Sequence, residues 1–222
     1  MKGSGLTILI CALMLLASDA FAVSRSDRSS DNEASWLELF DKDKPMVVAV
    51  RTNLLVPALN VGAEVPLGDR WSVSADYYYP WIWPAKKNRN CFELLGWSAE
   101  GRYWFGKDRT EQDRLLGHSA GVYAAGGYFD IERNYKGRQG EFISAGIDYT
   151  YAMALGRKGY VNMEFTLAFG YIHSWNTRYT VSGPYGPLYR EPGTEMFDYF
   201  GPTKVAVSLV VPLRWSWKEG RK

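Results

Sequence analysis

Cysteine and histidine are scarce, with two of each in 222 residues. Cys11 falls in an apolar N-terminal stretch, which leaves Cys91 alone in the body of the chain. A single thiol builds neither a disulfide framework nor a thiolate metal site, so no metal and no cofactor is expected. Charge of one sign is lacking too, since 26 Lys and Arg face 24 Asp and Glu for a net +2. That balance gives no electrostatic footprint for nucleic acid. Beyond the first residues no run reaches the ~18 apolar residues of a membrane-spanning helix. Aromatics, by contrast, are abundant: 15 Tyr, 10 Phe and 9 Trp. High aromatic content without a long apolar run points to strands.

The N-terminus reads as an export signal. Lys2 gives a positive start, Leu6 to Ala17 an apolar stretch, and Ala20-Phe21-Ala22 a cleavage signal. The apolar stretch is too short to span a bilayer as a helix. Cys11 sits inside it without the small residues that a lipidation motif places before its cysteine. Residues 1–22 are therefore expected to be a signal peptide. Residues 23–45, rich in Ser, Asp and Arg, follow as a flexible periplasmic leader, in which only Trp36, Leu37, Leu39 and Phe40 could pack.

From residue 46 the pattern changes to alternation, the mark of strands with two unlike faces. In 141–155, Ile143, Ala145, Ile147, Tyr149, Tyr151, Met153 and Leu155 fall on one face, and Ser144, Gly146, Asp148 and Thr150 on the other. The pattern recurs in 71–82, 93–105, 160–173 and 203–213, and more weakly in 47–55, 58–66 and 117–129. A helix would scatter the same apolar residues around its axis. About eight strands of roughly 9–14 residues suit a small closed barrel spanning a membrane. Tight turns at 67–70 and 156–159 alternate with long segments at 83–92, 130–140 and 174–202. Outer-membrane barrels alternate short periplasmic turns with long outer loops in the same way. A short link at 56–57 and a long one at 106–116 depart from that rhythm. The expected fold is all-β: an eight-stranded antiparallel up-and-down transmembrane β-barrel over residues 46–217, with a C-terminal tail at 218–222.

Alternation alone also fits a soluble barrel with its apolar face inward. Side-chain size separates the two. The polar face is mostly Ser, Gly, Ala, Thr and Asn, as if space were limited, while the other carries Phe, Tyr, Trp, Leu and Ile, which suit lipid. On the small-residue face sit Arg51, Glu64, Asp76, Glu100, Arg102, Asp148, Glu164 and Lys204. Turned to lipid at mid-depth, a charge costs up to about 2–4 kcal/mol. Crowded into a narrow core, the same groups pair and hydrogen-bond. An interior charge network is therefore expected at these eight positions, with carboxylates outnumbering bases. Buried ionisable groups in membranes also mark ion paths, so a narrow ion channel stands as one alternative.

His118-Ser119 and His173-Ser174 raise another: an outer-membrane enzyme that modifies lipid, of the lipid A deacylase or acyltransferase kind. A nucleophile, a base and an orienting acid must share one place. Here His118 falls at the inner end of its strand, Ser174 faces away from His173, and no acid stands at a suggestive position beside them. No catalytic residue is assigned, and the chain is not expected to be an enzyme. Trp71, Tyr77, Tyr78, Tyr79, Trp81, Trp83, Trp104, Trp215 and Trp217 read as girdles at the membrane surfaces. Lys86, Lys87 and Arg89 form a basic outer loop, and Arg133, Lys136 and Arg138 another, suited to the phosphates of lipopolysaccharide. Tyr185 and Tyr189, in the aromatic segment 174–202, are further outer contacts for a protein or glycan.

Several blocks, taken together, resemble a known family. They are Val50-Arg51-Thr52-Asn53-Leu54-Leu55, Asn60-Val61-Gly62-Ala63-Glu64, Pro66-Leu67-Gly68-Asp69-Arg70-Trp71-Ser72, Glu100-Gly101-Arg102-Tyr103-Trp104-Phe105-Gly106 and Gly201-Pro202-Thr203-Lys204. From about Val47 to Leu213 the chain is similar to the domain-of-unknown-function 3575 family. The resemblance implies an outer-membrane barrel of Bacteroidales-type bacteria, often encoded near fimbrillin-like genes, and no known catalytic residues. A structural or adhesive role associated with fimbriae is expected on that resemblance alone. The expected partners are outer-membrane lipids, lipopolysaccharide and fimbrial or other surface proteins, and the expected location is the cell outer membrane. One departure concerns the end: Lys218 to Lys222 run past the last strand, where many such barrels finish on an aromatic residue.

Overall fold

The computed structural model describes residues 45–56, 58–79, 90–156, 160–183 and 186–214. The expected signal peptide, the leader up to residue 44, the tail at 218–222, and Trp81, Trp83, Trp215 and Trp217 lie outside them. Nine strands run through the described chain: β1 Met46–Asn53, β2 Leu59–Leu67, β3 Trp71–Tyr79, β4 Asn90–Trp104, β5 Gly117–Arg133, β6 Lys136–Leu155, β7 Val161–Val181, β8 Leu188–Arg190 and β9 Glu195–Arg214. Eight of them close a ring in the order β1-β2-β3-β4-β5-β6-β7-β9, and β9 pairs back onto β1 from Met46↔Arg214 to Asn53↔Ser208. All these pairings are antiparallel. Three-residue β8 extends the edge of β7 and takes no part in the closure. The fold is an all-β antiparallel sheet, and the expected eight strands become nine.

The described residues begin and end at the same rim, here the terminal end, which also carries the turn at 68–70 and the Leu155↔Val161 end of the β6–β7 ladder. At the far end the expected long segments 130–140 and 174–202 prove to be largely strand, while most of 83–92 lies outside the described residues. The β5–β6 ladder continues to Arg133↔Lys136, closed by Asn134 and Tyr135 at φ 51° and 65°. Two left-handed residues make the mirror-type turn whose twist matches a hairpin. Likewise β7 runs to Val181 and β9 starts at Glu195, so 174–202 is mostly paired backbone. Beyond the packed part of the ring the two faces no longer differ, with Phe197 and Tyr199 on one and Met196 and Phe200 on the other, so alternation fades while the ladder goes on. The link expected at 56–57 spans residues 54–58.

Inside, the ring is filled in layers. Nearest the terminal end, Met46, Ala49, Trp104, Ala152 and Val210 form an apolar cluster with Leu115. Leu115 comes from the long segment 105–116, which folds back to plug that rim. Arg109 holds the segment by donating to the carbonyls of Asp69, Phe105, Leu116 and Asp113. The hydroxyl and amide of Thr110 bind Asp113 and hold its carboxyl below the usual range. Trp104 and Tyr78, expected in the girdles, instead point inward. Trp104 is 1% exposed and donates its indole N–H to Ser72, and Tyr78 lines the interior beside Asp76. Toward the far end Tyr123 crosses the ring, its hydroxyl meeting Ser144 and Thr203. Its ring lies over Gly146, where a Cβ would come within 2.9 Å of it.

Candidate functional site

Between the apolar plug and Tyr123 lies a layer of charge. Arg51, Glu64, Glu100, Arg102, Asp148 and Glu164 are each 5% exposed or less, with Asp76 and Lys204 beside them. Register makes room for them by placing small residues opposite: Gly62 faces both Arg51 and Asp76, Ser74 faces Glu100, Ser72 faces Arg102, and Ala168 faces Asp148. At Gly62 a Cβ would fall 1.9 Å from the Asp76 carboxylate.

Two arginines organise the layer. Arg51 donates twice to Asp76, Nε to Oδ1 at 2.7 Å and Nη2 to Oδ2 at 2.5 Å, and reaches Glu64 at 3.3 Å. Arg102 donates from Nη1 to Glu64 and Glu164, both at 3.1 Å, and from Nε to Glu100. Lys204 donates to the other oxygen of Glu100 at 3.1 Å. Hydroxyls finish the shell: Ser72 donates to Glu64 at 2.6 Å and Ser98 to Asp76 at 2.9 Å. Charge-assisted, forked contacts of this kind are the strong ones. Asp148, 5% exposed, has its carboxyl beside that of Glu100 with no donor on either oxygen, and Oε1 of Glu164 is likewise unpartnered. Five carboxylates thus face three cations. The free space among Arg51, Asp76, Tyr78, Arg102 and Lys204 is about 10 Å³, no more than one water needs.

The histidines lie on the outer face of the ring. His118 Nδ1 meets the Tyr149 hydroxyl at 2.5 Å. His173 Nδ1 meets Asp198 Oδ1 at 2.5 Å, Tyr171 donates to the same carboxylate, and Trp175 packs edge-on against the imidazole. Asp198 is the acid that sequence reading missed, because it lies in a segment expected to be loop. Only the β7–β9 register, His173↔Asp198, reveals it. Ser174 is buried on the opposite face and does not join this pair. Among the described residues no group of three or more His, Cys, Asp or Glu is placed to hold a metal.

Of the expected outer contacts, Lys86, Lys87, Arg89 and Tyr185 lie outside the described residues. Tyr189 lies in β8 and is 60% exposed. An open cleft of about 610 Å³ at the far end is lined by Glu93, Tyr128, Asp130, Glu141 and Trp175 among others. There Tyr179 donates to Asp130 at 2.6 Å. No curated protein and no solved structure matches the chain. The family described as Protein of unknown function (DUF3575) matches residues 34–213, from before β1 to the end of β9, and the chain belongs to that family.

Proposed function

We propose that this chain is a small outer-membrane β-barrel protein with a packed, charged interior, serving a structural or adhesive role at the cell surface in association with fimbriae. The inverted distribution of its side chains carries the reading. Val122, Ile147 and Leu167 are 64%, 63% and 59% exposed on the outer face, while Glu64, Arg102 and Glu164 are at most 1% exposed within. A water-soluble protein rarely exposes an apolar patch beyond a few hundred Å², and here an apolar belt runs across the outer face of neighbouring strands through Val122, Ile147 and Phe169. Lipid is the solvent that suits it. β2 and β3 have nine residues each, enough to cross a bilayer at the tilt of a small barrel. Trp71 packs against Tyr103 near one rim, and Tyr77, Trp97 and Tyr171 lie toward the other, as interfacial aromatics do.

The near-absence of free space among the interior charges supports a plug over a conducting path. The family is described only as of unknown function, so support for the surface role comes from the strands that project beyond the ring. Outer-membrane fractionation, a gel mobility that changes on boiling, and resistance to carbonate washing test the location. Release by carbonate with unchanged mobility would defeat it. Loss of fimbriae or of adhesion in a deletion strain, with an unaltered lipid A mass spectrum, tests the role.

The His173–Asp198 pair favours a second reading, a lipid-modifying enzyme at the rim. The carboxylate fixes the imidazole tautomer that leaves Nε2 a base. An acyl-chain change in lipid A that His173→Ala abolishes would establish it and displace the structural role.

A further inference from the structure

At the far end β5, β6 and β7 run on past the charged layer, and their register sets like charges against each other. Arg133 faces Lys136 across the β5–β6 turn, and two residues along β6 Arg138 faces Arg178 of β7. Same-sign pairs directly across a sheet are destabilising, and here two follow in succession. Residues two apart on a strand share a face, so the four cations form one patch. Among the described residues one acid answers them. Glu195 of β9 lies 2.9 Å from Arg178 Nε and 3.5 Å from Arg138 Nη2. All three side chains stay between 44% and 47% exposed. The Glu195 carboxylate already stands where an external oxyanion would sit, between two guanidiniums whose forks suit phosphate. The fold does not need this patch, since the ring is sealed by β1–β9 and packed by its inner layers. Local conflict without a structural return marks a functional site.

We propose that this face binds a saccharide carrying two phosphate groups about 8 Å apart, the spacing of the two cation pairs given ~3.4 Å per residue along β6 and ~4.8 Å between neighbouring strands. One phosphate takes Arg138 and Arg178 and displaces Glu195. The other takes Arg133 and Lys136. Lys136 and Arg138 share the β6 face of Ser144 and Asp148, so the patch continues the inner face of the wall above the ring. A soluble sugar bisphosphate is one source, and in the outer-membrane reading above, on which this second source rests, a phosphorylated glycolipid headgroup is the other.

The test uses the full chain in zwitterionic nanodiscs, titrated with inorganic phosphate, glucose 1,6-bisphosphate, and bisphosphorylated or dephosphorylated lipid A. The bisphosphorylated ligands are expected to bind at least tenfold tighter than inorganic phosphate or dephosphorylated lipid A, and to weaken as salt rises. Arg138→Gln with Arg178→Gln should cost at least tenfold, whereas Glu195→Gln should tighten binding several-fold by removing the competitor. A tenfold preference for lipid A over glucose 1,6-bisphosphate assigns the glycolipid as source, and equal affinity assigns the soluble one. Equal binding of inorganic phosphate, indifference to the double substitution, or weaker binding by Glu195→Gln would each overturn the proposal. Retained boiling-dependent gel mobility shows that the variants fold. Should fractionation defeat the membrane reading, glucose 1,6-bisphosphate binding lost by the double variant would still stand.

Discussion

Arg102 holds Glu64, Glu100 and Glu164 at once while 1% exposed. Removing one side of a buried pair strands the other charge, at about 3–5 kcal/mol. Arg102→Gln is therefore expected to lower the unfolding free energy by about that amount, read from urea unfolding in lipid vesicles. Asp148 is the opposite case, a fifth carboxylate facing three cations with no donor on either oxygen. Asp148→Asn is expected to leave the midpoint unchanged or raise it, and a clear fall would mean that something binds the carboxylate there. At the far end of β4, burial first and then Glu93 and Asp130 push the Cys91 thiol up to about 12. Almost none is thiolate at pH 8, so iodoacetamide should label Cys91 slowly in folded protein and quickly after unfolding, as followed by mass spectrometry. Equal rates would show the thiol unprotected. Parity along each strand was enough to put the eight charged residues on one face. Partners were not legible, because Arg102 meets Glu164 across 62 residues and the offset between strands decides who meets whom. Tyr78 and Trp104 leave the girdle because parity along β3 and β4, and not aromatic type, decides which face a side chain takes.

Strand lengths divide the ring into two halves. β1, β2 and β3 have eight or nine residues, while β5, β6, β7 and β9 have 17 to 21. Crossing a bilayer takes about 9–11 residues per strand, so the long strands stand as a wall beyond one side of the rim. That wall was not legible as strand. A strand announces itself through one buried apolar face, and above the ring that contrast is gone. Polar stretches such as Thr177 to Thr180 therefore resembled loop although their backbones pair. The reverse holds at 105–116, where a segment too long for a simple turn proves to be the plug. Arg109 is its clamp, donating to four carbonyls. Arg109→Ala is expected to expose the segment to protease while the ring persists, giving a cut between residues 105 and 116 and no loss of boiling-dependent mobility. Leu115→Ala acts on the packing instead. A buried Leu→Ala change costs about 2–5 kcal/mol, and a loss near zero would show that the plug does not seal the rim.

For the molecule as a whole, one question governs the rest: which solvent meets the outer face. Ring closure by itself does not answer it, since a soluble barrel closes in the same way. The contents of the two faces differ in a way that chemistry can read. An interior of paired charge gives little room for an apolar ligand, and the outer face offers almost no charge to water around Val122, Ile147 and Phe169, which sit side by side across β5, β6 and β7. Val122 is the sharpest probe because it is 64% exposed and touches none of the charged layer. If water met it, Val122→Arg would be an ordinary surface change worth within about 0.5 kcal/mol of nothing. If acyl chains meet it, the same change should cost about 2–4 kcal/mol near mid-bilayer and less toward either interface. The expected outcome is the larger loss, read from urea unfolding in lipid vesicles, with Trp71→Arg at the terminal rim costing distinctly less. A flat result across both positions would turn the outer face back to water, and with it the outer-membrane location.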